Sequence, residues 1–391
     1  MGSRSTQSAT AASQMTLMPV IKTTLTLVMT LDSWWIRSMA YFPDGKRIIS
    51  VSFLDKTIRQ WDLQAGKEIE EVRDVYEGEP LLADVSRDGR WVITRGGDIE
   101  YPKLKACEIE TGIVKTFQSS RKICCFDISA DGKLLASGSG FDGTVLIWSM
   151  DTGELVAGPF ESGDKVGVVR FSPNSKKLAV KSWVGKCLEV WDVQTQKLDA
   201  RVGKKVSYGE CTSAQICWTK KGTILAAFNF NFDDSVINSE PKTIYEFDAS
   251  TLETVGNPLW NIIIIHHLAL SSDGILLASS SFDIITLWSL ELEPRQLLGS
   301  FNTPLELYQI SDLTFSPDAR QIAYLADHKV FICNTPPSVL TSTRLAPDAQ
   351  VIVRICCIYL IVGVLISSSR HPVIQPTYSM CMPHCSMNSH Y

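Results

Sequence analysis

Short apolar stretches, bounded by turn-forming residues, recur along most of the chain. In DKTIRQWDLQAG (residues 55–66), Ile58 and Trp61 suit the pleated surface of a strand, and Asp55 and Gly66 mark turns at its ends. No stretch of helical periodicity of any length accompanies these strands. Because one such strand cannot bury a tryptophan by itself, the pattern predicts that strands from different parts of the chain pack together.

The same layout returns in seven units. Each unit carries one marker residue, aromatic or cysteine, at the end of an apolar stretch, and consecutive markers lie mostly forty-odd residues apart. This is the spacing of a propeller blade of four strands. The markers are Trp61, Cys107, Trp148, Trp191, Phe247, Trp288 and Cys333.

A strand–turn–strand signal comes before each marker. In YFPDGKRIISVS (residues 41–52), the turn Pro43-Asp44-Gly45 separates two apolar runs, which is the chemistry of a tight turn. The strand after the turn ends in small residues, as at Ser279, Ser280 and Ser281. Small side chains at this place let neighbouring blades approach closely.

The pattern resembles the WD-repeat family from Thr24 to Pro336, and in detail the WD repeats of fungal proteins that are often fused to NACHT-type NTPases. The resemblance implies an all-β fold, a seven-bladed β-propeller over residues 20–336, after a disordered N-terminus at residues 1–19. The family closes its ring with an N-terminal strand, for which Thr23–Leu31 is the candidate. The family's turn Asp matches at Asp55, Asp142, Asp283 and Asp327, and its Trp matches at Trp61, Trp148, Trp191 and Trp288.

The family's blade-entering histidine is missing from all seven units. His266 and His267 lie inside an apparent strand and do not replace it. Since each missing hydrogen bond costs roughly 1 kcal/mol, we expect softer blades than in the best examples of the family. Blade two, whose marker is Cys107, is expected to be the softest.

Composition narrows the function classes. The net charge of −5 over 391 residues gives no reason to expect nucleic acid as a partner, and no secretory signal is evident. The eleven cysteines have irregular spacings, which suits free thiols in a reducing cytosol.

No phosphate-binding loop, nucleophile elbow or zinc-hydrolase motif occurs, so no catalytic, cofactor-binding or metal-ligating residue is predicted. Gly2 and Thr6 fit the loose myristoylation pattern, and Cys381–Cys385 lacks a standard zinc spacing.

The composition changes after Pro336-Pro337, where a tail over residues 337–391 begins. Residues 351–366, VIVRICCIYLIVGVLI, are almost wholly apolar and sit at the short edge of what a membrane-spanning helix needs. Three readings stay open for this segment: a tail anchor, an apolar segment docked on the propeller, or sequence that is not native coding sequence.

The resemblance implies binding loops on one face, where the second strand of a blade meets the third and where each blade is entered. We therefore predict a protein-interaction scaffold without cofactor, working as a monomer or as a subunit of a larger complex. Aromatic residues and arginine dominate binding energy at such faces. The predicted face comprises Trp34, Trp35, Arg37, Leu54, Phe141, Val184, Phe230, Phe232, Asp233, Asp234 and Phe282.

The fifth unit is longer than the others and places extra residues on this face. The stretch FNFNFDDSVINSEPKTI (residues 228–244) puts Phe230 and Phe232 either in an extension of the second strand or over the channel mouth. Asp233 and Asp234 would make its lip acidic. Two other functions stay open: a tail-anchored membrane adaptor, and an enzyme, which three or more ionisable residues converging in the channel would favour.

Overall fold

We analysed a computed structural model of the chain. It describes residues 22–32, 35–69, 80–96, 103–118, 122–162, 164–204, 215–230, 241–261, 264–292, 295–303 and 309–342. The chain divides into two compact units, Met1–Thr343 and Arg344–Tyr391. All described residues belong to the first unit, so the predictions for Val351–Ile366 and for residues 1–19 lie outside them.

The first unit is an all-β propeller of seven blades, each a sheet whose antiparallel strands follow one another from the centre outwards. Blade one has β3 (Ile36–Tyr41), β4 (Arg47–Ser52), β5 (Ile58–Asp62) and β6 (Lys67–Ile69). Blade two has β7 (Pro80–Val85), β8 (Trp91–Gly96), β9 (Lys103–Glu108) and β10 (Val114–Phe117). Blade three has β11 (Ile123–Ile128), β12 (Leu134–Ser139), β13 (Thr144–Ser149) and β14 (Leu155–Glu161).

The other blades repeat this order. Blade four has β15 (Val166–Phe171), β16 (Lys177–Ser182), β17 (Cys187–Asp192) and β18 (Leu198–Gly203). Blade five has β19 (Ile216–Trp218), β20 (Thr223–Ala227), β21 (Thr243–Asp248) and β22 (Leu259–Trp260). Blade six has β23 (His267–Leu270), β24 (Leu276–Ser281), β25 (Ile284–Ser289) and β26 (Gln296–Asn302). Blade seven has β27 (Asp312–Phe315), β28 (Gln321–Ala326) and β29 (Lys329–Asn334).

The N-terminal segment closes the ring, as predicted. Strand β2 (Leu27–Leu31) pairs antiparallel with β29 as the outermost strand of blade seven. Just before it, β1 (Lys22–Thr24) pairs in parallel with β26 of blade six. Between the two strands, Leu25 is buried in the cluster that joins blades six and seven. The segment therefore ties two neighbouring blades together.

The hydrophobic core is divided among the contacts between blades. Seven buried clusters can be distinguished among the described residues, and each joins side chains of two consecutive blades. We call these contacts seams. Trp191, for example, lies with Phe160 of blade three in the seam between blades three and four, and Trp61 lies with Leu325 of blade seven. The marker tryptophan thus packs against the preceding blade.

Three of the tryptophans are also tied within their own blade. The indole Nε1 donates to a serine Oγ of the second strand: Trp61 to Ser50 at 2.8 Å, Trp148 to Ser137 at 3.1 Å, and Trp288 to Ser279 at 3.3 Å. In blade four, Trp191 donates instead to Glu189 Oε2 at 3.0 Å. The small residues at the ends of the second strands therefore accept these bonds besides allowing close approach.

A short helix follows the last blade. Helix α1 (Pro337–Ser342) buries Val339 in the seam between blades six and seven. No helix among the described residues is both long and apolar enough to cross a membrane.

Candidate functional site

The second-to-third strand turns and the connections between blades lie at the same end of every blade. This follows from the strand order, because the first strand of each blade runs away from the connection that precedes it. We call this side of the ring the upper face. Four of its large apolar side chains keep much of their surface exposed: Phe141 66%, Leu54 54%, Phe282 48% and Trp35 41%.

Trp35 lies between blade seven and blade one. Its ring stacks on His328 with centroids 3.8 Å apart, and its carbonyl accepts a bond of 3.0 Å from the Phe53 amide. Its φ of 62° is in the left-handed region, which is unfavourable for a bulky residue. Such a conformation costs on the order of 1–3 kcal/mol and persists only where the surroundings fix it. Arg37 is exposed beside it, with the guanidinium 4.4 Å from the centroid of the Phe53 ring.

Phe141 projects from the tight turn of blade three. Asp142 Oδ1 accepts from the Thr144 hydroxyl at 2.7 Å and from its amide at 3.1 Å, and Ser139 Oγ accepts from the Phe141 amide at 3.3 Å. The Lys122 ammonium lies 4.6 Å from the centroid of the Phe141 ring. The turn therefore holds an exposed aromatic ring rigidly, with a cation over one side.

The turn of blade one is held in the same way below Leu54. Asp55 accepts from the Thr57 hydroxyl at 2.7 Å and from Arg59 Nη2 at 2.6 Å. Burial alone would raise the pKa of Asp55, but hydrogen bonds from Ser52, Thr57 and Arg59 outweigh it and lower the pKa. The carboxylate therefore stays charged and keeps the turn closed.

Phe282 and Asp283 form the two-residue turn of blade six. Phe282 has a φ of 49°, and its carbonyl accepts from the Ile310 amide at 2.8 Å. The His266 ring meets the Phe282 ring edge-on at 5.2 Å, and burial lowers the pKa of His266. Blade seven turns through Asp327 and His328, both with positive φ, as this kind of hairpin requires.

Val184 and Phe230 are less exposed than these four side chains, with Phe230 at 38%. Val184 is half-buried. Strand β20 ends at Ala227, so Phe230 does not extend it; the ring packs on Phe228 and on Tyr245 with centroids 4.9 Å apart in each case. Trp34, Phe232, Asp233 and Asp234 lie outside the described residues, and their predicted places on the face stay predictions.

The inner strands bring together charged residues that sequence reasoning missed. Asp84, Asp127 and Arg170 stand at the same place in blades two, three and four, 43 residues apart (84, 127, 170). Arg170 Nη1 donates to Asp127 at 2.7 Å, and Nη2 donates to Gln215 at 3.1 Å. Asp127 also accepts from the Phe171 amide at 2.6 Å. The regular spacing was the signal that could have revealed this row.

Burial raises the pKa of two inner carboxyl groups, those of Asp84 and Asp312. Burial raises the pKa of Asp84, against the nearby positive charge of Arg170. Burial raises the pKa of Asp312 to about 7, although the amides of Leu313 and Met39 act in the opposite direction. Among the described residues, no three His, Cys, Asp or Glu side chains gather as a metal site would require.

Comparisons with known proteins agree with this architecture. Residues 25–62 and 112–149 match the WD40 family (WD domain, G-beta repeat). The transcriptional corepressor LEUNIG_HOMOLOG of Arabidopsis thaliana is 28% identical over 200 residues, which cover 44% of this chain and 25% of that protein. The WD repeat-containing protein SL1-17 of Schistosoma mansoni is 28% identical over 227 residues, 54% of this chain and 69% of that protein.

Autophagy-related protein 16 of Arabidopsis thaliana is 29% identical over 119 residues, 29% of this chain and 22% of that protein. The chain therefore covers about a quarter of the corepressor and of the autophagy-related protein. The narrower likeness to fungal proteins related to NACHT-type NTPases stays a prediction.

Proposed function

We propose that the chain is a WD-repeat propeller that acts as a non-catalytic scaffold and binds other proteins through its upper face. The observation that carries this proposal is the exposure of Trp35, Leu54, Phe141 and Phe282 on that one face. Single exposed apolar residues are normal on a protein surface, whereas several on one face are typical of an interaction site.

The way these side chains are held supports the proposal. Trp35 is fixed by the His328 ring, and Phe141 stands on a turn closed by Asp142. A side chain that is already ordered loses little conformational entropy when a partner covers it. Tryptophan and arginine, which this face has in Trp35 and Arg37, are among the residues that carry most binding energy at interfaces.

The binding role is tested by Trp35→Ala and Phe141→Ala in pull-downs from the native organism, with identification of partners by mass spectrometry. We expect each variant to lose partners that the unaltered chain retains, with affinities at least about 10-fold lower, as for a hot-spot residue. Ile113→Ala is the matched control, since Ile113 is 52% exposed but lies in a turn at the opposite end of blade two. Unchanged partner profiles for both face variants, with circular dichroism intact, would contradict the proposal.

The net charge, the relatives and the cysteines of the chain bear on its partners and its location. The net charge of −5 speaks against nucleic acid, and we propose protein partners, with the chain acting as a monomer or as a subunit of a larger complex. The relatives named a corepressor and an autophagy-related protein support a regulatory or adaptor role. The six cysteines that the structure describes are free thiols, which supports placement in the cytoplasm.

The insertion in blade five is proposed to contribute to partner choice. Extra-long surface loops on a rigid scaffold commonly carry function. Replacing Asn231–Ser239 with a short glycine-containing turn tests this, with the loss of at least one partner, or a changed salt dependence of its binding, as the expected result. A folded, shortened protein that keeps every partner with unchanged affinity would exclude the loop from recognition.

Membrane attachment through residues 351–366 is a separate proposal that rests on the apolar sequence of that segment. It would make the scaffold a membrane adaptor. A chain ending at Thr335 would remove helix α1 as well, so we compare the full chain with one ending at Thr343 in vesicle flotation. Equal recovery of the two chains in the unbound fraction would end this proposal.

An enzyme in the channel is the third candidate, because Asp84, Asp127 and Arg170 do come together there. The hydrogen bonds argue for a structural role: Arg170 is held by Asp127 and Gln215, and Asp127 by a backbone amide. These bonds cross from blade three to blade four and from blade four to blade five. We propose that the row holds blades together.

A further inference from the structure

Four inner strands begin with an irregularity of the same kind. The register shifts between Ile36 and Ser38 in β3, Pro80 and Leu82 in β7, Ile123 and Cys125 in β11, and Val166 and Val168 in β15. Each is a β-bulge that adds one residue to the inner strand. In blade three the added residue and its successor are Cys124 and Cys125, whereas none of the other three bulges holds a cysteine.

The bulge decides where these two thiols point. On a regular strand, successive side chains point to opposite faces, which would hold adjacent thiols apart. A bulge re-aims a side chain. Here the two Sγ atoms lie 3.9 Å apart, and both residues are half-buried.

Gly138 on the paired strand β12 and Gly140 in the turn that follows it make room for the sulfurs. A Cβ added at Gly138 would lie 2.8 Å from the Cys125 Sγ, and one at Gly140 would lie 3.2 Å from the Cys124 Sγ. The Cys124 Sγ also lies 3.0 Å from the Val166 carbonyl oxygen of blade four. The thiol pair therefore occupies a space that only glycine leaves open, at the edge of the seam between blades three and four.

The geometry suits a bridging atom better than a disulfide. Adjacent Cα atoms are about 3.8 Å apart across a trans peptide, which is closer than the usual separation in disulfides of about 4.4–6.8 Å. By contrast, two sulfurs bound at about 2.3 Å to one tetrahedral centre would be about 3.8 Å apart. Trivalent arsenic is pyramidal, with narrower angles between its bonds, so the two sulfurs must come somewhat closer than the observed 3.9 Å to bind it. We propose that Cys124 and Cys125 form a dithiol site for a ligand with one thiophilic atom, and that trivalent organic arsenicals are the class that fits it.

A metal ion and an arsenical share this chemistry but differ in what else they need. Zinc in a structural site takes four protein ligands. Among the described residues, no third His, Cys, Asp or Glu completes a metal site with this pair. Trivalent arsenic that carries one organic group needs only two sulfurs, so the pair satisfies it completely.

The binding step with phenylarsine oxide is balanced without any change in oxidation state. Two arsenic–sulfur bonds form and the arsenic–oxygen bonds break, and the oxygen leaves as water with the two thiol protons. The hydrogen bond from Cys125 lowers the pKa of Cys124, and the charge of Arg95 acts in the same direction against burial. The thiolate is the form that reacts.

The site lies beneath the upper face. Gly140, where an added Cβ would lie close to the Cys124 Sγ, directly precedes Phe141, and that Cβ would lie 2.9 Å from the Trp183 ring. An arsenical bound to the two thiols would therefore displace the turn that carries Phe141. This consequence rests on the proposed function, whereas binding at the thiols does not.

The test measures binding of phenylarsine oxide to the full chain by intact-mass spectrometry. Cys356 and Cys357 are adjacent in sequence outside the described residues, so both are replaced by serine in the reference protein. We expect the reference protein to retain one equivalent. Cys124→Ser and Cys125→Ser, each in that background, should weaken binding by on the order of 100-fold or more, since the second bond becomes intermolecular. Cys217→Ser, which removes a single thiol of blade five, is the matched control and should change nothing.

Two further measurements keep the proposal falsifiable if a serine variant fails to fold. In the reference protein, phenylarsine oxide should protect Cys124 and Cys125 from iodoacetamide, as seen by peptide mapping. Cadmium ion at equal concentration should not displace the arsenical. Unprotected cysteines, displacement by cadmium, or serine variants that fold and bind undiminished would each overturn the assignment. Because partner binding is not measured, failure here leaves the proposed function untouched, and loss of partners in Phe141→Ala leaves the thiol site untouched.

Discussion

Two seams occupy equivalent places in the ring but contain different kinds of residues. One lies between blades three and four, and the other lies between blades one and two. The first contains Trp191, whose ring meets Phe160 edge-on with centroids 5.5 Å apart. The second contains no tryptophan among its described residues, and its largest buried side chain is Phe42. At the marker position of blade two stands Cys107, which pairs across the sheet with Val92 of this seam.

The polar contacts differ as well. Across the first seam, Asp127 of blade three bonds both Arg170 and the Phe171 amide of blade four. Across the second, Ser38 of blade one exchanges longer bonds with the Ala83 backbone, at 3.2 and 3.3 Å. The repeat pattern therefore sets which blades contact each other, while the residues in each seam determine how much that contact stabilises the ring.

The largest effect is expected from Trp191→Ala. It removes a buried ring from the seam between blades three and four and leaves Glu189, whose side chain is almost fully buried, without its indole donor. We expect a loss of about 3–5 kcal/mol in the free energy of unfolding, measured by urea denaturation. Trp260→Ala, at a tryptophan 58% exposed, is the control and should cost little. Equal losses of unfolding free energy for the two variants would show that Trp191 in this seam stabilises the ring no more than an exposed tryptophan does.

The next largest effect is expected from Asp127→Ala. The Arg170 guanidinium and the Phe171 amide would lose their acceptor, and bonds to charged groups contribute about 1.5–3 kcal/mol. Asp32→Ala breaks the exposed pair with Lys329 (2.9 Å) and should cost less than about 1 kcal/mol. A similar small loss for Asp127→Ala would show that the polar row does not hold the blades together.

Asp312→Asn tests an inner carboxyl group that has no ion pair comparable to that of Asp127. Its pKa of about 7 is raised by burial, with Asp84 adding to this and Arg170 opposing it. The protonated acid is therefore favoured by folding, and this contribution is full below the unfolded pKa of about 3.9 and is lost as the pH rises toward 7. The variant should match the unaltered chain at pH 4 and melt a few degrees higher at pH 8. A difference in Tm that stays constant across this range would rule out the titration.

The smallest effect is expected from Cys107→Ala in blade two. Cys107 is half-buried, and removing one sulfur from that position should cost less than about 1 kcal/mol. Cys333→Ala at the same position of blade seven should cost more, since Cys333 is fully buried in its seam. Hydrogen exchange adds a second measurement: amides of β8 that exchange no faster than those of β16 would contradict the expectation that blade two is the softest.

The fold was predictable because seven copies of one pattern reinforce each other. The marker residues and turn signals predict seven blades, and the structure has them; Thr23–Leu31 was rightly expected to close the ring, since β2 lies within it. The parallel pairing of β1 with blade six could not be foreseen. A segment of three residues carries no periodicity that distinguishes a parallel from an antiparallel partner.

The places of the side chains on the proposed binding face were predictable only in part. Leu54, Phe141 and Phe282 could be located because each stands beside a turn aspartate, and the structure exposes all three. The packing of Phe230 against Tyr245 and the stacking of Trp35 on His328 depend on contacts between distant residues. Likewise, Cys124 and Cys125 face one another because of a bulge, which shifts side-chain direction without leaving a signature in sequence.

Ring closure by β2 sets an order of events during synthesis. Leu31 pairs with Val330, so a strand made near the start of translation must wait for one made about 300 residues later. At roughly 5–20 residues per second, the wait is on the order of 15–60 s. For that time the ring is an open arc with two unpaired edges, and edges of this kind invite pairing with other chains. The closing strand thus leaves the nascent chain open to such pairing until its last blade has been made.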